Sequence, residues 1–293
     1  MKYMVFAPKS SLELLLKKPI EGIIIGVQGF TQRSDALYDS SELTDYVARI
    51  KAAKKAVWIN LNALFHEPDL KKLKSLLSNI QTLDIDGLLF SDLAVFTLAQ
   101  ELKLKNKLIY YPETYLTHQN DFIFWQKQGI KSGVLSRELS LKSIETIAEK
   151  TDIPLSLLGH GYVNMFHSKR RLLKTFFDYT KKEADPHKKT YTIKEDLREE
   201  MHPIFQDAFG THIFRDKPLS SFNVFNQLSP IISYFLIDSL FFDQDRLLSI
   251  VDDYLALSNG RVVDLKRYTD HDEGFYFKKL NYHQAKEGPK DED

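Results

Sequence analysis

Residues 154–173 read PLSLLGHGYVNMFHSKRRLL. An apolar run of strand length ends in Gly159-His160-Gly161, and a basic cluster follows within a few residues. The run does not alternate polar with apolar residues. A strand with one wet face would alternate, whereas a parallel strand buried on both faces reads as continuous hydrophobic sequence. Seven other runs have the same look: YMVFAP (3–8), GIIIGV (22–27), AVWINLNA (56–63), DGLLFSD (86–92), KLIYYPE (107–113), GVLSRE (133–138) and SYFLIDSLFF (233–242).

The segments between these runs carry helical periodicity. SDLAVFTLAQELKLK (91–105) can open on an N-cap at Ser91 or Asp92, with apolar residues at Leu93, Phe96 and Leu98-Ala99. LSLKSIETIAEK (139–150) can start at Ser140 and bury Leu141, Ile144 and Ile147-Ala148. DQDRLLSIVDDYLAL (243–257) repeats Leu247, Ile250-Val251 and Tyr254-Leu255. Eight buried strands alternating with helices predict an α/β fold, a TIM-like (β/α)8 barrel. A long insertion over 174–220, with turn signals at Asp185-Pro186 and Gly210, is expected to be β-rich and to lie between strands seven and eight. Residues 1–283 are read as one barrel domain including that insertion, and the charged 284–293 as a flexible tail.

Composition narrows the chemistry. The chain has 293 residues, 43% of them hydrophobic, with 40 basic and 40 acidic side chains and no cysteine. A balanced charge argues against a wholly basic polyanion binder but leaves room for local patches. Without cysteine there is no disulfide, no thiolate nucleophile and no thiolate ligand for zinc or iron–sulfur. The N-terminus lacks a long apolar core, and the most apolar stretch, IISYFLIDSLFF, is short of a membrane span. A soluble cytoplasmic protein with no membrane association is expected.

In a parallel barrel the strand C-termini and the loops after them form the active face. Gln28 and Arg33 follow strand two, Asn60 and Asn62 end strand three, and Asp92 follows strand four. Glu113 ends strand five, Arg137 and Glu138 end strand six, and His160 ends strand seven. Asn120, in the segment after strand five, is a further substrate-side candidate. Six consecutive strands thus each offer a polar or charged group to one mouth. Arg137 can bind a carboxylate or phosphate through two parallel hydrogen bonds, or it can pair with a neighbouring acid. Glu138 can act in the site or cap the next helix. His160 can shuttle a proton or sit hydrogen-bonded inside the mouth. The histidines show no metal-ligand spacing, and there is no nucleophile elbow and no phosphate-binding glycine loop. Between His167 and Lys194 nine Lys/Arg stand against three acids, interleaved with aromatics. This can track an RNA backbone with stacked bases, with Lys169, Arg170, Arg171 and Lys174 as contacts, or it can be a solvated helix face.

GVLSRELSLKSIETI followed by LLGHGYVNMFHSKRRLL resembles the collagenase-like peptidase family of unknown catalytic type, peptidase family U32. GIIIGVQGFTQRSD and REEMHPIFQDAFGTHIF are similar to further segments of that family, and the resemblance covers most of the chain. It implies a TIM-like barrel. Some members are described as proteases; others support hydroxylation of bases in tRNA or ribosomal RNA, and several carry a cysteine-bound iron–sulfur cluster. The cysteine places of such members hold Asn164 and Arg171 here, and the acidic-Gly-Arg end of the family's eighth strand is replaced by a lone Asp238. His160, Gly161, Arg137 and Glu138 carry over.

Small cysteine-poor members resemble one half of a two-protein system that makes 5-hydroxyuridine at the tRNA wobble position and requires prephenate. By that resemblance the chain is a cluster-free subunit whose partner is a cysteine-bearing paralogue. Its ligands would be tRNA and a small organic acid such as prephenate, and no cofactor would be bound through cysteine. A peptidase using an acid/base pair such as Glu113 with Glu138 is a competing reading, as is a non-catalytic scaffold.

Overall fold

The computed structural model describes residues 1–183 and 190–278. The predicted tail, 284–293, therefore lies outside the described residues, as does the Asp185-Pro186 turn signal. All eight predicted strands form. In chain order they are Lys2–Phe6, Gly22–Val27, Ala56–Leu61, Gly87–Phe90, Leu108–Tyr110, Ser132–Val134, Leu155–Gly161 and Tyr234–Ile237. Each pairs parallel with its neighbours, and the first strand pairs with both the second and the eighth, which closes the barrel. A two-residue strand, Leu219–Ser220, pairs antiparallel with Gly161 and His160 at the rim.

Burial on both faces is why the strands read as unbroken apolar runs. One set of side chains fills the barrel: Met4, Ile24, Trp58, Leu89, Ile109 and Leu236 are among them, all essentially inaccessible. The other set packs outward against the helices, with Val5, Ile25, Ile59, Leu88, Leu157 and Phe235 among its members. Both faces are dry, so neither needs polar residues. Trp58 fits inside because residue 87 is glycine: a Cβ there would come within 2.6 Å of the indole.

The helices start where their caps predict. The Asp92 side chain accepts a hydrogen bond from Ala94 N at 2.8 Å and opens helix Leu93–Glu101. Ser140 does the same for Leu141–Glu149, and Asp243 for Gln244–Ser258. In the last of these Leu247, Ile250, Val251 and Tyr254 face the core as the periodicity requires. Leu93, expected on the buried stripe, is exposed, and Val95 takes its place.

The insertion between strands seven and eight is β-rich, but it begins earlier than residue 174. Asn164–Ser168, Thr190–Ile193, His202–Asp207 and Gly210–Phe214 form a separate antiparallel sheet, with helix Leu172–Thr180 beside it. Asn164–Ser168 is short and mixes apolar with polar residues, so it carried no strand signal of its own. The sheet's tightest hairpin joins Asp207 to Gly210. Gly210 has φ 136°, and a Cβ there would lie 2.0 Å from the Ser168 carbonyl oxygen, so only glycine fits. No helix among the described residues is long and apolar enough to cross a membrane.

Candidate functional site

Five of the predicted residues converge at the C-terminal mouth, and a sixth, Glu138, stands on its outer rim. Arg33, Asn60, Asn62, Glu113 and Arg137 line a small inner chamber together with Asp238 and Tyr111. Its free volume of about 10 Å³ holds about one water molecule. A wider vestibule of about 350 Å³ lies outside it, lined by Gln32, Tyr115, Glu138, Met165 and His167 among others. Arg33 and Glu113 line both spaces and so form the partition between them.

The partition is an ion-pair network. Glu113 Oε1 accepts a hydrogen bond from Arg33 Nη2 and pairs with Arg137 Nη2 at 3.0 Å. Arg137 Nη2 also donates to the Tyr111 hydroxyl at 2.9 Å, and its guanidinium lies 5.5 Å from the Tyr111 ring centre. All three charged side chains are largely out of water, at 7% exposure for Arg33, 6% for Arg137 and 13% for Glu113. The backbone is bent to bring them together: Arg33 has φ 52° and Glu113 φ 70°. Such conformations are uncommon for residues with a side chain and mark positions that surrounding contacts must hold. At Arg33 the holding contact is its own N–H, which donates to Asp207 Oδ2 at 2.9 Å across from the inserted sheet.

The charges follow from this geometry. Burial alone would push the Glu113 carboxyl upward, but Arg137 and Arg33 outweigh it and hold the pKa below the usual range. Glu113 is therefore a fixed carboxylate and a poor proton donor, which weakens the Glu113–Glu138 acid/base pair although both residues border the vestibule. Asp238 behaves oppositely. Burial, and then the neighbouring Asp35, raise it to about 7, against the opposing pull of the Leu240 N–H and Arg137. One mouth thus holds one carboxylate kept ionised and one that changes state near neutrality.

Polar atoms without partners gather here. Among the described residues seven buried side-chain N or O atoms lack a hydrogen bond; four belong to residues lining the two chambers: Gln32 Oε1, Asn60 Oδ1, Arg137 Nε and His167 Nε2. Such atoms are rare in folded proteins because leaving one unpaired costs about 1–3 kcal/mol. Four such atoms stand together around this one mouth.

Other expected residues lie elsewhere. Gln28 is exposed and absent from both chambers; Gln32, four residues on, takes the position, its amide donating to Asn62 O at 2.8 Å. Asp92 is a cap, accepting from Ala94 N and from Phe65 N at 2.9 Å. Asn120 is exposed on helix Gln119–Lys127 and lines neither chamber. Glu138 is exposed on the vestibule rim; the cap of the following helix is Ser140, not Glu138. Lys169, Arg170, Arg171 and Lys174 are all exposed, beside the solvent-facing Met165, Phe166, Phe176 and Tyr179. No group of three or more His, Cys, Asp or Glu among the described residues is placed to hold a metal ion.

His160 is the main correction. Leu158 pairs with Leu236, but His160 pairs with the very next residue, Ile237, so Gly159 is an extra residue in its strand. This β-bulge reverses the facing of the strand beyond it. Leu158 points into the barrel, and His160, two residues on, points outward with Ile237 into the helix layer. There its Nδ1 meets the Tyr254 hydroxyl at 3.1 Å, and its ring packs on Phe222, Phe242, Tyr268 and His271. Burial, with smaller effects from His271 and Arg246, pushes its pKa well below 6.5, so it is neutral. His160 borders neither chamber.

A closed parallel barrel with a charged, polar mouth at its strand C-termini and a sheet inserted beside it defines a TIM-like barrel protein. The chain belongs to peptidase family U32, whose model matches residues 9–273. It is similar to tRNA hydroxylation protein P2 of Bacillus subtilis (strain 168), 28% identical over 216 residues, which is 72% of this chain and 70% of that protein. It is also similar to tRNA hydroxylation protein P1 of the same bacterium, 23% identical over 175 residues, but there it spans only 41% of the relative's length. The solved structure of the U32 peptidase Mk0906 superposes with a TM-score of 0.51 at 14% identity, covering 80% of this chain and 91% of that one. At that identity the likeness speaks for the fold alone.

The cysteine-bound iron–sulfur cluster that the family resemblance raises needs thiolate ligands, and the residues present do not fit it. It has no cysteine, and the amide of Asn164 and guanidinium of Arg171 cannot replace thiolate ligands. The Asn164 side-chain nitrogen instead donates to Phe166 O and Ile213 O, tying down the edge of the inserted sheet.

Proposed function

We propose that this chain is the cluster-free subunit of a tRNA-modifying system that hydroxylates the wobble uridine at C5, acting in the cytoplasm with a cysteine-bearing family paralogue. The observation that carries the reading is the mouth itself: four unpartnered buried polar atoms around two adjoining chambers, opening beside an exposed strip of cations and aromatics. A loop nucleotide needs that combination, with phosphate contacts from Lys169, Arg170, Arg171 and Lys174 and a pocket for a base turned out of its stack. The relatives named tRNA hydroxylation proteins P1 and P2 occur in one bacterium, which supports a paired arrangement.

A small organic acid such as prephenate is the second ligand of this reading. The inner chamber is too small for it, so the acid would sit in the vestibule with its carboxylate against Arg33, the guanidinium shared by both spaces. Any redox centre would belong to the partner chain. Arg137 is then a positioning residue, holding Glu113 so that Arg33 stays oriented.

The test is genetic and biochemical. Deleting the gene should remove the one-oxygen mass increment from wobble-uridine tRNAs, and the tagged chain should bring down its untagged cysteine-bearing relative. An unchanged tRNA mass spectrum refutes the reading.

A further inference from the structure

One hairpin of the inserted sheet joins the basic strip to the mouth. At the strip end, Thr211 Oγ1 accepts from Leu172 N at 2.9 Å and lies 2.9 Å from the Arg170 carbonyl oxygen. Gln206 Oε1 accepts from Leu173 N at 3.1 Å. Gly210 packs so tightly on the neighbouring strand end that a Cβ there would come within 2.7 Å of Lys169 Cα. The backbone that carries Lys169, Arg170, Arg171 and Lys174 is thus tied to the strands on both sides of the hairpin.

At the mouth end the same hairpin reaches Arg33. Asp207 Oδ1 serves the hairpin itself, accepting from Phe209 N at 2.8 Å and lying 3.0 Å from His212 Nε2. Its Oδ2 accepts from Arg33 N at 2.9 Å. Arg33 has φ 52°, in the left-handed region, where a residue with a side chain stays only if its surroundings hold it. Its guanidinium then stands in the partition. Nη2 is bound to Glu113, while Nε and Nη1 have no hydrogen-bond partner among the described residues and are not among the unpartnered atoms closed off from water. Those two nitrogens are the ones an acid in the vestibule can reach.

We propose that Asp207 is a positioning residue that latches Arg33 in this conformation, so that RNA on the basic strip and an organic acid at Arg33 strengthen each other's binding. The inference rests on the two ligands of the function proposed above and adds how their sites communicate. Two states are involved. With the latch closed, the hairpin holds Arg33 left-handed and its guanidinium faces the vestibule. With the latch open, Arg33 relaxes to ordinary backbone angles and the guanidinium leaves the wall. RNA gripping residues 169–174 stiffens the hairpin and favours the closed state. The acid, which needs the presented guanidinium, favours the same state. Ligands that prefer one state raise each other's affinity by one shared factor. The sign is diagnostic, because two anions bound near each other would otherwise repel.

The test is titration calorimetry of the full chain with prephenate, alone and saturated with a tRNA anticodon stem–loop RNA, at one fixed salt concentration. The wild type should bind prephenate about fivefold or more tightly when RNA is present, and prephenate should tighten RNA binding by the same factor. Asp207→Asn offers one acceptor oxygen in place of two, so the Arg33 and Phe209 N–H groups cannot both be satisfied. Its prephenate affinity should fall, and RNA should change that affinity by less than about twofold. Thr211→Val leaves the Arg33 contact in place and cuts the strip from the hairpin. It should bind prephenate alone as the wild type does and lose most of the RNA effect. A purely structural role for Asp207 would lower stability without moving the coupling factor. Equal or weaker prephenate binding by the RNA-bound wild type overturns the inference and leaves the proposed function standing, as does full coupling in either variant. Failure of either ligand to bind the wild type overturns the function and the inference together.

Discussion

Asp238→Asn isolates the most heavily perturbed carboxyl at the mouth. The folded protein holds this proton up to about pH 7, whereas the group would ordinarily release it near 3.8. Burial is the main cause and Asp35 the second. Between those two values the folded state binds more protons than the unfolded state, so stability falls as pH rises. At about 1.4 kcal/mol per tenfold change in proton affinity the whole effect is about 4 kcal/mol, of which about 2–3 kcal/mol develops between pH 5 and pH 8. Asparagine has nearly the same shape, and its Oδ1 can still accept the Leu240 N–H, which lies 3.1 Å from the carboxylate oxygen. It cannot ionise. Urea unfolding of both proteins from pH 5 to pH 8 should therefore show the variant gaining about 2–3 kcal/mol relative to the wild type across that range. Parallel curves would refute the reasoning. So would a variant that loses ground as pH rises, since that would mean the ionised carboxylate is stabilised by Arg137 in the folded state.

Arg137→Ala leaves Glu113 buried with Arg33 as its only cation and should cost about 3–5 kcal/mol, measurable by the same unfolding assay. His160→Phe should change stability but leave affinity for a tRNA anticodon stem–loop within about twofold of the wild type, because the imidazole faces the helix layer; a large loss of binding would place it functionally in the mouth. Replacing Lys169, Arg170, Arg171 and Lys174 by alanine together should weaken RNA binding and reduce the slope of log affinity against log salt by up to about 3, read from a salt titration. Gly159→Ala puts a Cβ 2.0 Å from the Phe235 ring and should destabilise the fold by about 1–3 kcal/mol in the same unfolding assay.

Much of the mouth was legible because a barrel turns sequence position into spatial position. Once GIIIGV, AVWINLNA, KLIYYPE and GVLSRE are strands of one closed sheet, their C-termini share a rim, and Arg33, Asn60, Glu113 and Arg137 must approach one another. Gln28 failed for the same reason in reverse. It directly follows its strand, but the chain then turns through Gly29, with φ 81°, and delivers Gln32 to the wall instead. Nothing local distinguishes the two glutamines. The vestibule histidine was also hidden: His167 and His212 are 45 residues apart, and no metal or catalytic spacing links them.

Sequence alone determined the architecture, because strand burial and helix capping depend on residues within a few positions of one another. Eight unbroken apolar runs and caps such as Asp92, Ser140 and Asp243 leave little other than a parallel barrel. Tertiary structure decided which side chains enter the mouth. One extra residue at Gly159 turns His160 out of it, and the Glu113 carboxylate is fixed by guanidinium groups from two other loops, one of them 80 residues away. Side-chain facing changes completely with a one-residue slip in register. Where that slip falls is set by packing between elements distant in sequence, here Phe235 against the bare backbone of Gly159.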